Sequence, residues 1–225
     1  MQRSVFMVKI LRSRVLRLLS MGLLVLALPF TVLSAQAEEY REGVHYTRIS
    51  KPVRTQDPSK VEVVEMFGYW CPHCNSFEPY IKNWNSKKAD DVNFVRIPVV
   101  FGRSWEPMAR AFYASELMKM LDKTHEATFH AIHVERRRFT GVNDFSTYYS
   151  NLGVDGAQFD KMYNSFAVNM KLKQGDSKLR GYGVEGVPAM IVNGKYRISA
   201  QMAGGQQEML KVVDFLVNKE RAAAQ

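Results

Sequence analysis

The chain has 225 residues, 46% of them hydrophobic, with 31 Lys and Arg against 22 Asp and Glu and two cysteines. That is enough apolar material for one core, or for one domain with an insertion, and no repeat or low-complexity stretch interrupts it. The formal charge of +9 does not point to nucleic acid. Five of the 31 basic residues fall in residues 1–37, which hold no acid, so 26 against 22 leaves +4 for the remainder, with no basic stripe interleaved with aromatics.

Residues 1–17 carry Arg3, Lys9, Arg12, Arg14 and Arg17; Leu18 to Leu33 is almost wholly apolar, and Ala35-Gln36-Ala37 follows. A basic n-region, an apolar h-region and a small-residue site read as a secretory signal peptide over 1–37. A retained anchor is the alternative, since the apolar run approaches the roughly 17 residues of a spanning helix. Pro29 and the A-x-A site argue for cleavage, and no cysteine lies there to carry a lipid. The expectation is a mature protein that begins near Glu38 and works outside the cytoplasm.

Lys60 to Phe67 (KVEVVEMF) is β-rich and nearly continuous in apolar character, as a buried central strand requires. A helix is expected from Pro72, with Phe77, Ile81 and Trp84 on one face. Asp91 to Val100 (DVNFVRIPVV) reads as a second buried strand, so strand, helix and strand form a right-handed parallel crossover. Residues 104–179 then change to helical spacing. Trp105, Met108 and Phe112 share one face, and Phe159, Met162, Tyr163, Phe166 and Met170 share another. Arg136-Arg137-Arg138 reads as the solvated end of a helix, where cations complement the dipole. Strands return at Ala189 to Val192 and Lys195 to Ile198, joined by Asn193-Gly194, a strong hairpin signal. A last helix turns Met209, Val212, Val213 and Leu216 inward. The expected class is α/β: βαβ and ββα halves (38–103 and 180–225) build one sheet, and an all-helical subdomain (104–179) is inserted between them.

The chemistry gathers at Cys71-Pro72-His73-Cys74, which holds both cysteines of the chain. A Cys-x-x-Cys pair serves as half a zinc site, as a structural staple or as a redox couple. A staple that encloses two residues removes little chain entropy. A zinc site wants four ligands, and no second Cys-x-x-Cys supplies them; His125, His130 and His133 have some helical spacing, but lone helix histidines are usually surface or packing residues. A redox couple best suits an exported chain. Cys71 falls at the start of the helix and Pro72 at its first position, where a missing N–H costs nothing. The free N–H groups of the first turn favour a thiolate at Cys71, and His73 adds a positive charge or a donor. Cys74, one turn in, faces the interior. Cys71 is therefore the expected attacked sulfur and Cys74 its resolving partner, and stabilising the reduced form makes the disulfide a stronger oxidant.

The run Glu65-Met66-Phe67-Gly68-Tyr69-Trp70-Cys71-Pro72-His73-Cys74 resembles the active-site strand and helix of the DsbA family of periplasmic thiol:disulfide interchange proteins. Gly186-Val187-Pro188-Ala189-Met190 with Val192-Asn193-Gly194-Lys195-Tyr196 resembles its cis-proline loop and hairpin, and Tyr46 to Val53 (YTRISKPV) its N-terminal strand. The resemblance implies a thioredoxin fold, a central mixed β-sheet flanked by helices, with a helical insertion. It implies a cis Val187–Pro188 bond facing the disulfide, with the Val187 backbone pairing with an extended substrate peptide. It implies that Glu65 is a buried acid assisting proton movement at Cys74, where a bare strand reading allows an outward residue. The implied partners are unfolded exported proteins with free cysteines and a quinone-linked, DsbB-type membrane protein for reoxidation. No cofactor beyond the Cys71–Cys74 disulfide and no metal is implied, and a monomer is expected in the periplasm. A reductase or isomerase of the same fold remains an alternative, as does a non-enzymatic copper or zinc carrier using Cys71, Cys74 and His73.

Overall fold

A computed structural model describes residues 40–224; the expected leader, 1–37, lies outside them. Five strands, β1 (Thr47–Arg48), β2 (Val61–Phe67), β3 (Val92–Pro98), β4 (Ala189–Val192) and β5 (Tyr196–Ser199), form one sheet in the order β1-β5-β4-β2-β3. β2 pairs in parallel with β3 and antiparallel with β4, so the sheet is mixed and β2 is an interior strand with a neighbour on each side. Among the described residues the helices are α1 (Pro72–Asn85), α2 (Glu106–Leu117), α3 (Leu121–His133), α4 (Val142–Ser150), α5 (Gly156–Tyr163), α6 (Phe166–Tyr182), α7 (Ala200–Ala203) and α8 (Gln206–Ala223).

The near-continuous apolar run of β2 follows from cover on both faces. Val63 packs with Phe77, Ile81, Met209, Val213 and Leu216 on one side, while Val64 and Met66 pack with Ile97, Leu179 and Ile191 on the other. Phe67, at the end of β2, passes into a third cluster with Phe112, Phe129 and Cys74, which ties the sheet to the helical block. Each such buried side chain contributes roughly 1.5–3 kcal/mol. The hairpin closes through Asn193 and Gly194, both at positive φ (50° and 64°), as a type I′ turn requires. A Cβ on Gly194 would stand 1.9 Å from the carbonyl oxygen of Val53, so the N-terminal segment lies directly on the turn. That segment pairs only Thr47 and Arg48 as strand, then continues through Ile49 N–H to Lys195 O (2.7 Å) and Val53 N–H to Gly194 O (3.0 Å).

Two expectations are corrected. Phe159 and Tyr163 are buried in α5, but Phe166 and Met170 do not continue their face. Ser165 caps a new helix by accepting from Val168 N–H (3.2 Å), which redirects the axis and leaves Phe166 76% exposed. Arg136–Arg138 are not a helix end either: α3 stops at His133, Arg136 adopts φ 60°, and Arg137 reaches Glu135 and stacks 5.0 Å above the Tyr148 ring.

Candidate active site

Cys71 is the N-cap of α1, in extended conformation (φ −82°, ψ 115°), and Pro72 occupies the first helical position. The Cys71 Sγ accepts from the backbone N–H of Cys74 at 3.4 Å, and the thiol form donates to the carbonyl of Val187, also at 3.4 Å. Cys71 is half-buried; Cys74 is fully buried, and both are free thiols. The same helix turn drives the two sulfurs apart. The Cys74 thiol, then the backbone N–H groups of Cys74 and His73 and the His73 charge, hold the Cys71 thiol down at about 6, against the opposing effect of burial. Burial, the thiol bond to Cys71 and the Cys71 charge push the Cys74 thiol far up, and the Glu65 carboxylate adds to this.

The Val187–Pro188 bond is cis, and Val187 lies across from Cys71. A cleft of about 790 Å³ opens beside the pair, lined among others by His73, Val187, Pro188, Arg197, Met202 and Gln206. The His73 side chain is exposed, and its carbonyl accepts from Gln206 Nε2 at 2.6 Å, which fastens the start of α1 to that of α8. A second cleft, about 580 Å³ between α1 and α8, is lined by Trp84, Lys87, Asp214 and Arg221 and includes neither cysteine. On the other flank, Trp70 Nε1 donates to Ser104 O (3.2 Å), and His133 Nε2 donates to Tyr69 O (2.8 Å). Gly68 lets the Trp105 ring approach so closely that a Cβ would stand 2.2 Å from it.

Beneath the cysteines runs a buried polar chain. Glu65 is wholly buried, not outward-facing, and its Oε2 accepts from Arg96 Nε at 2.9 Å. Arg96 Nη2 donates to Glu78 Oε2 at 3.1 Å, Glu78 Oε1 meets His125 Nε2 at 3.1 Å, and His125 Nδ1 meets the Tyr69 hydroxyl at 2.9 Å. Burial pushes the Glu65 carboxyl up to about 7; Arg96 opposes this and the Glu78 charge adds to it. Burial also lowers the His125 imidazole, which therefore stands neutral, with Glu78 drawing on its N–H. Glu78 stays below the usual carboxylate range although burial opposes it, because His125 and Arg96 both donate to it.

From the sequence, Arg96, Glu78 and Gln206 are assigned no role, and His125 and His133 are weighed only as zinc ligands and set aside. Arg96 left one signal, a lone charge inside the apolar run of β3. His125 and His133, read as surface or packing residues, are held by hydrogen bonds beneath and beside the cysteines, and nothing in LDKTHEATFHAIH separates them from exposed His130.

Residues 62–217 match the family model of the DSBA-like thioredoxin domain. The chain belongs to the DsbA family. A Pseudomonas aeruginosa relative, named thiol:disulfide interchange protein DsbA, is 42% identical over 192 residues, 85% of this chain and 91% of its own length. The crystal structure of Pseudomonas aeruginosa DsbA superimposes with a TM-score of 0.81 at 42% identity, covering 84% of this chain and 98% of that one. A DsbA from Proteus mirabilis, solved with a non-covalently bound peptide PWATCDS, aligns with a TM-score of 0.68 at 30% identity, over 80% and 97% of the two chains. The fold is the thioredoxin-like DsbA fold, and the protein is a thiol:disulfide oxidoreductase of the DsbA family.

Buried Glu65 carries a stability cost with a definite pH window. Its folded pKa of about 7 lies above the unfolded value of about 4.3, so the folded state holds the proton more firmly and loses stability as pH rises between the two. Glu65→Gln is therefore expected to stabilise the fold by about 1–3 kcal/mol at pH 8 and by little at pH 5. Thermal melts of both proteins at the two pH values check this; an equal shift at both would refute a titrating Glu65.

Proposed function

We propose that the protein oxidises exported proteins, donating a Cys71–Cys74 disulfide to their paired thiols. The observation that carries the direction is the split between the two thiols, with Cys71 held at about 6 and Cys74 pushed far above the ordinary range. A stabilised Cys71 thiolate stabilises the reduced enzyme and so makes its disulfide a willing electron acceptor. In the first step a substrate thiolate attacks Cys71 Sγ. The S–S electron pair leaves on Cys74, which takes up a proton from the buried side. A second substrate thiolate then attacks the substrate sulfur of the mixed disulfide, Cys71 leaves as thiolate, and the substrate carries the new disulfide. Two electrons have moved to the enzyme; of the two substrate protons, one is released to solvent and one is accounted for on Cys74.

The cleft at Val187 and Pro188 suits an extended peptide, and the cysteine-containing peptide bound by the Proteus mirabilis relative supports that use here. The basic, then apolar leader supports action in the periplasm. Reoxidation then falls to a quinone-linked, DsbB-type membrane protein, with no cofactor beyond the dithiol. A metal carrier would need a further ligand, and among the described residues no three His, Cys, Asp or Glu side chains converge as a metal site.

The test is equilibration of the purified couple against reduced and oxidised glutathione. An oxidant holds its disulfide only at a low ratio of reduced to oxidised glutathione, whereas a reductase stays oxidised until that ratio is high. A reducing couple would overturn the direction and restore the reductase reading.

A further inference from the structure

Two buried carboxyl groups share one guanidinium beneath the active site: Arg96 gives Nε to Glu65 and Nη2 to Glu78. Two carboxylates and one cation in an apolar setting leave an excess negative charge, and one proton on the pair relieves it. The structure treats the two carboxyl groups unequally. Both oxygens of Glu78 have donors, one from Arg96 and one from His125, whereas Oε1 of fully buried Glu65 has no partner. The His125 ring is fixed in turn. It stands among the rings of Phe67, Tyr69, Phe112 and Phe129; a Glu78 carboxylate can only accept, so the single proton of the neutral ring sits on Nε2, facing Glu78, and Nδ1 is left to accept from the Tyr69 hydroxyl.

We propose that His125 is a positioning residue for disulfide exchange: its Nε2–H keeps Glu78 as the carboxylate of Arg96 and so leaves Glu65 as the carboxyl that trades a proton with Cys74. When the Cys71–Cys74 bond breaks, the electron pair stays on Cys74 Sγ, the Glu65 O–H proton moves to that sulfur, and Glu65 is left a carboxylate on Arg96. In the reverse direction, the Glu65 carboxylate takes the Cys74 proton as that sulfur attacks a mixed disulfide. The helical block thus supplies a group that acts on the thioredoxin-like half through two intervening side chains. Other charged or titratable groups act on the cluster too: Cys74 and Lys82 from α1, Glu126 from α3, Tyr149 from α4, and Tyr69 beyond β2. Lys82 and Glu126 pair with each other at the surface (2.6 Å), which leaves His125 as the neighbour that separates Glu78 from Glu65.

The inference rests on the exchange reading above, but its test is independent of redox direction. The infrared carbonyl band of a protonated carboxyl is recorded at pH 6 in the reduced protein and in His125→Phe, each with and without Glu65→Asp, which keeps two carboxyl groups on Arg96 and moves the band only if residue 65 carries the proton. Phenylalanine keeps the aromatic packing and removes the donor; His125→Gln restores an N–H close to the Nε2 position. In the wild type, Glu65→Asp should shift the band. In His125→Phe the band should stay in place on Glu65→Asp, because the proton has moved to Glu78. Attack of glutathione on the oxidised protein, the step in which Glu65 supplies the proton to Cys74, should slow roughly tenfold or more in His125→Phe and recover in His125→Gln. Ultraviolet titration of the Cys71 thiolate should be the same in all three, which a merely structural defect would not allow. Tyr69→Phe, which frees the His125 tautomer, should likewise make the band less sensitive to Glu65→Asp and decides the matter if His125→Phe folds poorly. A band shifted by Glu65→Asp in both the His125 and Tyr69 variants, with unchanged rates of glutathione attack, would overturn the proposal.

Discussion

Cys71→Ser is expected to abolish disulfide transfer, and Cys74→Ala to halt it half-way. The two sulfurs differ in everything that decides reactivity. Cys71 caps α1, faces the Val187 loop and is half-exposed; Cys74 is fully buried beneath it. Serine at position 71 keeps the cap but offers an oxygen that forms no disulfide, so transfer should fall by roughly a thousandfold or more. Alanine at position 74 leaves the exposed, acidic Cys71 able to react with a disulfide partner but removes the thiol that would resolve the product. Mixed disulfides with Cys71 should therefore accumulate, visible on non-reducing gels and released by reductant. A Cys71→Ser protein that kept measurable dithiol oxidation, or trapping through Cys74 instead of Cys71, would reverse the assignment of roles.

The second large effect is on stability. Reduced protein is expected to melt above oxidised protein, by a margin that widens from pH 6 to pH 8.5. The folded Cys71 pKa of about 6 lies below the unfolded thiol value of about 8.5. A depressed acid of this kind contributes stability that is complete above the unfolded value and is lost as pH falls through the folded one. Each pH unit between the two is about 1.4 kcal/mol, hence about 3 kcal/mol at most, and roughly 1–2 kcal/mol once solvent screening of a half-exposed sulfur is allowed for. The disulfide form holds no thiolate and gains none of this. Its own cross-link closes a very short loop and contributes equally at every pH, so the pH dependence isolates the thiolate. Denaturant titrations of both redox forms at pH 5, 7 and 8.5 measure it. A margin that stayed flat with pH would mean that Cys71 is not held as a thiolate.

Much of this molecule was legible in the chain because it depends on local rules. The run KVEVVEMF has to be a strand covered on both faces, Asn193-Gly194 has to turn at positive φ, and Pro72 can open a helix but not sit deep inside one. The first and the last of these place Cys71 at a strand-to-helix junction. Phe166 shows where local reading fails. Its spacing from Phe159 and Tyr163 continues a helical face on paper, yet the Ser165 cap starts a new axis, and side chains three residues apart across a break share no face.

The buried polar chain was decided by tertiary structure. Glu65 sits at a strand position whose side faces α1, and only the packing of that helix makes it wholly buried. Arg96 answers it because parallel pairing of β2 and β3 sets Glu65 opposite Arg96. Glu78 and His125 then join from α1 and from the helical block, 47 residues apart in sequence and 3.1 Å apart in space. The sequence by itself determined the reactive pair, the helix start that acidifies Cys71 and the turn chemistry of the sheet, since each depends on neighbours within a few residues. The proton-carrying groups beneath the pair were left to the tertiary structure, because burial and charge pairing are properties of what folds over a residue, and those partners come from three different elements.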